Sequence, residues 1–236
     1  MSTNQGTAVS DNGSSAADTL PPEVAAAAIA QTEQGRIDIS AIEVGTLRVP
    51  IIGTAPLLVH RFSEKSKLAM LNAQQGRKAE KAIRDPEAEY EASRYRFADG
   101  GDGLPVTAFK AATIGAARFY AQVKMTELRL FLYFRGELGL DGQALARIDG
   151  EPRMREDYVR FGVGSTDLRY RAEFPLWRTS LDVQYVKSAL SQSSVLSLIE
   201  AGGLGGVGEW RPSGKKSSGE FGTFEIDHGR NVEVLG

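Results

Sequence analysis

The chain has 236 residues, 42% hydrophobic and 25% charged, enough to bury a core, and its formal charge of −2 is near neutral. It contains no cysteine and only two histidines, which excludes disulfides, thiolate metal clusters and thiol nucleophiles and makes any zinc site depend on carboxylates. No apolar run approaches a membrane span and the N-terminus lacks signal-peptide features, so a cytoplasmic protein is expected.

Residues 1–38 are rich in Ser, Thr, Asn, Gly and Ala and read as a disordered acidic arm. Five acids against Arg36 give residues 1–40 about −4, leaving about +2 for the rest. The arm is either a solubilising tail or a segment that docks on a neighbouring subunit or competes for a basic groove. Residues 39–236 form one domain.

Ile42 to Ile52 alternates apolar and polar residues with many β-branched side chains, which predicts a first strand. An insertion of about residues 60–103 follows. In it Ser63 can cap a helix with Leu68, Met70 and Leu71 on one face, and Gly76 and Pro86 break the polar stretch beyond. Leu104 to Gln122 predicts a helix capped by Thr107, whose small face (Ala108, Ala111, Ala112, Gly115, Ala116) and Phe119 would pack on a sheet. Thr126 to Leu138 reads as a central strand. Residues 136–172 are charged and turn-rich, with Asp141-Gly142 and Asp149-Gly150 as turns, and predict one long β-hairpin extending from the core. Phe174 to Val186 is a strand, Ser193 to Gly203 a helix and Glu220 to Ile226 the last strand. The resulting β-α-β-β-α-β order predicts an α+β fold with a ferredoxin-like, RRM-like core carrying a helical insertion and a hairpin insertion.

Between the last helix and last strand lies GGLGGVGEWRPSGKKSSGEFG, Gly202 to Gly222, with eight glycines, Trp210 and the cations Arg211, Lys215 and Lys216. Such a segment can approach a polyanion closely, stack on a base through Trp210 and bind phosphates. It is no phosphate loop: Gly208 to Gly214 is one residue too long, Lys216 replaces the hydroxyl residue, and a strand follows where a helix belongs.

The turn-helix LPVTAFKAATIGAARF and this glycine-rich segment together resemble the RAMP superfamily, the RNA-recognition-motif-derived subunits of CRISPR effector complexes. The resemblance covers about 40 residues in the expected order. It implies that Lys110 and Arg118 lie on the helix facing nucleic acid or a neighbouring subunit, and that the hairpin is a thumb over the bound strand. Val106-Thr107 departs from the family's glycine and serine, and no processing-nuclease constellation can be matched. The glycine-rich, Trp-Arg-Pro ending also resembles uncharacterised bacteriophage proteins, which would place the chain in phage recombination or replication.

These readings converge on a non-enzymatic protein that binds single-stranded nucleic acid, DNA or RNA, and oligomerises along it without a cofactor or metal. The expected contacts are Arg61, Lys65, Lys67, Lys110, Arg118, Arg153, Arg155, Arg169, Arg171, Trp210, Arg211, Lys215 and Lys216, cations on phosphates and Trp210 on a base. Acids interleave with most of these cations, so solvated surface ion pairs compete with that reading. His60 is a groove or packing residue before it is an acid-base group. The alternative function is structural or assembly work without nucleic-acid binding.

Overall fold

A computed structural model describes residues 39–62, 64–76, 83–161, 165–215 and 219–235. The chain divides into Met1–Ala41 and Ile42–Gly236, and every described element belongs to the second unit. The acidic arm, residues 1–38, lies outside the described residues, as do Ser63 and Lys216.

The main sheet is antiparallel. Its strand order is β11 (Phe224–Ile226), β1 (Val44–Gly53), β10 (Arg178–Val186), β5 (Leu132–Arg135), with β12 (Glu233–Val234) also on β1. Alternation fixes its two faces. Leu47, Val49 and Ile51 of β1 and Leu181 and Val183 of β10 are buried, and Val49 opposes Leu181 while Leu47 opposes Val183. On the other face the opposed Arg48 and Asp182 form a two-pronged pair at 2.7 and 2.8 Å.

Two helices share the core cluster with that buried face: α3 (Val106–Gly115) through Val106, Phe109 and Ile114, and α5 (Gln192–Gly205) through Val195, Leu198 and Ile199. The spacing of Val195, Leu198, Ile199, Gly202 and Gly203 is the three-and-four repeat of one helical face. Ser191 caps α5 by accepting from Ser194 N–H at 3.1 Å. The helices meet at Gly202, where a Cβ would sit 3.0 Å from the α3 backbone at Ala112 and Thr113. Phe109, Trp177 and Phe224 form an aromatic knot with centroids 5.7–6.4 Å apart, tying α3 to β11. The arrangement is α+β, with antiparallel sheets and helices packed on the buried face of the main one.

Several expectations need correction. Thr126 to Leu138 is not one central strand: Met125–Phe131 forms helix α4, and β5 begins at Leu132 on the edge of the sheet. Leu128 and Leu132 are the buried leucines of this stretch, four residues apart, while Leu130 is exposed. Leu128 lies in α4 and Leu132 in β5, so the stretch passes from helix to strand where the dense apolar text reads as one alternation. Thr107 is no cap, because α3 starts at Val106 behind Pro105 with no side-chain cap.

The single long hairpin is two structures. β6 (Glu137–Leu138) and β7 (Ala144–Arg147) turn around Gly142, at φ 76°, and join β3 (Tyr95–Arg96) and β4 (Asp102–Pro105) in a sheet ordered β3-β4-β7-β6. The long hairpin proper is β8 (Arg153–Phe161) and β9 (Ser165–Phe174), extended by β2 (Leu57–Val59) on β9. Its tip, residues 162–164, lies outside the described residues. The other insertion contains helix α1 (Glu64–Gln74) and helix α2 (Pro86–Ala92). Asp85 caps α2 by accepting from Ala88 N–H at 3.1 Å. Leu68, Met70 and Leu71 of α1, expected to be an apolar packing face, are exposed.

Candidate nucleic-acid interface

A cleft of about 610 Å³ runs between α3 and the glycine-rich segment. Its wall on α3 is the stripe Ala108, Ala111, Ala112 and Gly115, continued by Arg118 and Phe119 in a short 3-10 turn, Ala116–Phe119. The helix and the turn together give a wall about 20 Å long. Of the small residues expected to pack on the sheet, Ala116 is buried in the core and Ala108 and Ala112 pack against it beside Val106, Phe109 and Ile114, and all five small residues also border the cleft. No acid stands in the first turn of α3 and no side chain caps it, so its partial positive charge is open.

The opposite wall is Gly205 to Lys215. Gly206 ends α5 at φ 68°, its N–H donating to Gly202 and Gly203 carbonyls at 3.2 Å. Main-chain bonds then fix the segment: Val207 N–H donates to Gly222 O at 2.9 Å, Glu209 N–H to Leu58 O at 2.8 Å, and Gly222 N–H to Pro56 O at 2.8 Å. A Cβ on Gly222 would stand 1.9 Å from Val207 O, so glycine is required for this strand-like closeness.

Three cations open on the cleft: Arg118, Arg211 and Lys215. All are exposed. Arg211 Nη1 donates to Gly208 O at 2.7 Å, and none of the three forms an ion pair among the described residues. Phe119 stands at the rim, 64% exposed. Glu209, His60, Tyr95 and Gln143 line the cleft as well. Burial chiefly pushes the His60 imidazole down, helped by Arg169 and Arg171 and opposed by Glu209, so it is neutral near neutral pH. Its Nδ1 is buried without a hydrogen-bond partner among the described residues.

The hairpin cations are arranged differently. Arg155 and Arg171 face each other across β8 and β9, a repulsive placement relieved by shared carboxylates. Asp157 Oδ1 accepts from Arg155 Nε at 2.8 Å, and its Oδ2 lies 2.9 Å from Arg171 Nη2. Glu173 accepts from Arg153 Nε and Nη2, both at 3.2 Å, and lies 3.6 Å from Arg155 Nη1. The Arg171 side chain is 1% exposed, and Asp157 and Glu173 are nearly as buried.

Trp210 covers this cluster. The Arg171 guanidinium lies 4.4 Å from its ring centroid and that of Arg155 5.8 Å, with Phe221 6.0 Å away, centroid to centroid. Trp210 is half-buried at φ 51°, a left-handed conformation uncommon outside glycine. Expected to lie open as a stacking face, it is engaged by arginines from a hairpin about 40 residues earlier in the chain.

The other expected contacts are scattered. Arg61 is half-buried and reaches back to α2, its N–H donating to Ser93 O at 2.8 Å and its Nε to Ala92 O at 3.2 Å. Lys110 points away from the cleft: its Nζ sits 5.1 Å from the Tyr133 ring centroid and donates to Arg129 O at 3.3 Å. Lys65 and Lys67 belong to α1, Lys67 exposed, the Lys65 side chain outside the described residues. Arg169 is half-buried on β9. Of the thirteen residues, the cleft gathers Arg118, Arg211 and Lys215. Sequence reasoning passed over Glu209 and Gln143 and gave Phe119 a packing role; the tightening of α3 into a 3-10 turn, which turns Phe119 outward, left no mark in the sequence.

Among the described residues there is no cluster of three His, Cys, Asp or Glu able to hold a metal ion, and no helix long and apolar enough to cross a membrane. No protein-family model matches the chain, and no curated protein matches it. Among solved structures, the cryo-EM structure of the Type III-B Cmr-beta bound to cognate target RNA contains a chain similar to this one. The TM-score is 0.47 at 10% identity, over 92% of this chain and 67% of that one. A likeness of that size carries no function from one chain to the other.

Proposed function

We propose that this is a non-enzymatic protein that holds single-stranded nucleic acid in the cleft between α3 and the glycine-rich segment and assembles along the strand. Its core is then a ferredoxin-like, RRM-like βαββαβ unit. The order β11-β1-β10-β5 with α3 and α5 on one face supports that assignment.

The observation that carries the reading is the meeting of Arg118, Arg211 and Lys215, without carboxylate partners among the described residues, with the exposed Phe119 ring on one cleft. Unpaired cations can take phosphates at no cost in broken ion pairs. A small-residue floor leaves room for a base, and an aromatic rim can stack on one. A single strand suits a cleft of this size, whereas duplex reading calls for a helix or ribbon offered to a groove.

Anisotropy of a fluorescent oligonucleotide, titrated at several salt concentrations, tests the proposal. Binding should weaken with salt, and the triple variant Arg118→Ala, Arg211→Ala, Lys215→Ala should flatten the slope of log K against log salt by about 2. Absence of binding at low salt overturns it. The exposed Leu68, Met70 and Leu71 of α1 favour the second reading, an assembly protein, and that same null result would move the case there.

A further inference from the structure

Glu209 is out of place in a phosphate-binding cleft. It is the one acid among the residues lining it, and its charge opposes a bound polyanion. Its main chain is pinned by the Glu209 N–H bond to Leu58 O at 2.8 Å, so the side chain is presented from a fixed point. Pairing with Arg171 accounts for it poorly. Glu209 Oε2 is 3.7 Å from Arg171 Nη1, an ion pair beyond hydrogen-bond length, and Glu209 remains 40% exposed. Neither carboxylate oxygen accepts a hydrogen bond among the described residues, so a ligand donor can reach them beside the loose Arg171 pair.

The surroundings are polar and lie toward the start of α3. Tyr95 on β3 opposes Gly103 on β4, which leads directly into that helix, and His60 and Gln143 line the same cleft. Glu209, His60 and Tyr95 all line this one cleft. Arg118 and Phe119 stand past the other end of α3. The cleft thus has a cationic, aromatic end and an end where one carboxylate sits among hydrogen-bonding side chains.

We propose that Glu209 and its neighbours form a base-reading subsite that selects guanine from the single strand held in the cleft. This rests on the proposed function and deepens it. A carboxylate only accepts hydrogen bonds, and its two oxygens suit two adjacent N–H donors. Guanine offers such a pair, N1–H beside the N2 amino group, on its Watson–Crick edge. Adenine and cytosine place a ring acceptor beside one amino group, and uracil and thymine flank N3–H with carbonyls that a carboxylate repels. Unstacked bases of single strands are read on this edge. His60, Tyr95 and Gln143 supply donors for guanine O6.

The test uses fluorescent oligouridylate and oligothymidylate strands with one central guanine, and the same strands with inosine, adenine or cytosine there. Inosine lacks only the N2 amino group, so it probes the contact without altering the protein. The guanine strand should bind on the order of tenfold more tightly than the others, and inosine should lose most of that advantage. Glu209→Gln should abolish the preference, bringing the affinities for the guanine and inosine strands within about twofold of each other. Equal affinity for guanine and inosine, or a preference that survives Glu209→Gln, overturns the subsite and leaves strand binding standing. Failure of every strand to bind at low salt removes the proposed function and the subsite with it.

Discussion

Arg118, Arg211 and Lys215 at the cleft and Arg153, Arg155 and Arg171 on the hairpin are indistinguishable as letters, yet the fold uses them in opposite ways. The first three face solvent with no ion pair among the described residues. The second three share Asp157 and Glu173, and Trp210 closes over Arg171. Positive charge in a sequence is therefore not the same as charge available to a ligand. What decides is whether a carboxylate lies on the same strand face two residues away, as Asp157 does beside Arg155.

Breaking the hairpin cluster should give the largest effect. Arg171→Met keeps volume but leaves Asp157, 4% exposed, without its buried partner, and should lower unfolding free energy by about 3–5 kcal/mol in urea titrations. If stability is unchanged while strand affinity collapses, Arg171 belongs with the cleft cations and the contrast fails.

Trp210→Ala sharpens the same contrast. It removes a desolvated ring from Arg171 and should cost about 2 kcal/mol of stability, with the affinity of the folded protein for single strands nearly unchanged. The reverse pattern, lost affinity at full stability, would restore Trp210 as a base-stacking platform.

A smaller effect should appear with pH. Because burial lowers the His60 value, the unfolded chain takes up a proton before the folded one does. Stability is complete above the ordinary imidazole range and declines as pH falls through about 6.5 toward the lowered folded value. Urea midpoints at about pH 7.5 and 5.5 should differ more for the natural chain than for His60→Gln. An identical pH dependence in the two would mean that His60 is protonated without penalty.

Arg153→Ala should do least. Its side chain is largely exposed, and Glu173 keeps Arg155 nearby, so the loss should stay below about 1 kcal/mol by thermal or urea unfolding. A loss comparable to that of Arg171 would show that the whole ladder acts as one unit.

The sequence revealed elements whose periodicity is local and long. β10 reads as a strand because its buried residues alternate over nine positions, β1 because Leu47, Val49 and Ile51 recur at every second position in a β-branched run, and α5 as a helix because Val195 to Gly203 keeps its repeat. The seven-residue α4 was hidden because two turns of helix with Leu128 buried, running straight into β5 at Leu132, look like one strand in dense apolar text. The cleft was half legible. Arg211 and Lys215 announced themselves by lying in a glycine-rich segment, and Arg118 by its place in the helix. The engagement of Trp210 depends on β8 and β9, distant in sequence, and the exposure of Phe119 on a change of helical pitch. Neither leaves a local pattern.

Gly115 has a practical consequence. It lies in the cleft wall, and a Cβ there would meet no described atom within 4 Å. Since the chain has no cysteine, Gly115→Cys would create a unique thiol inside the cleft at a helical position where replacing glycine by cysteine is itself favourable by roughly 0.3 kcal/mol. A maleimide dye attached there would report on cleft occupancy directly, and a bulkier adduct would plug the cleft without touching the core or the buried arginine cluster.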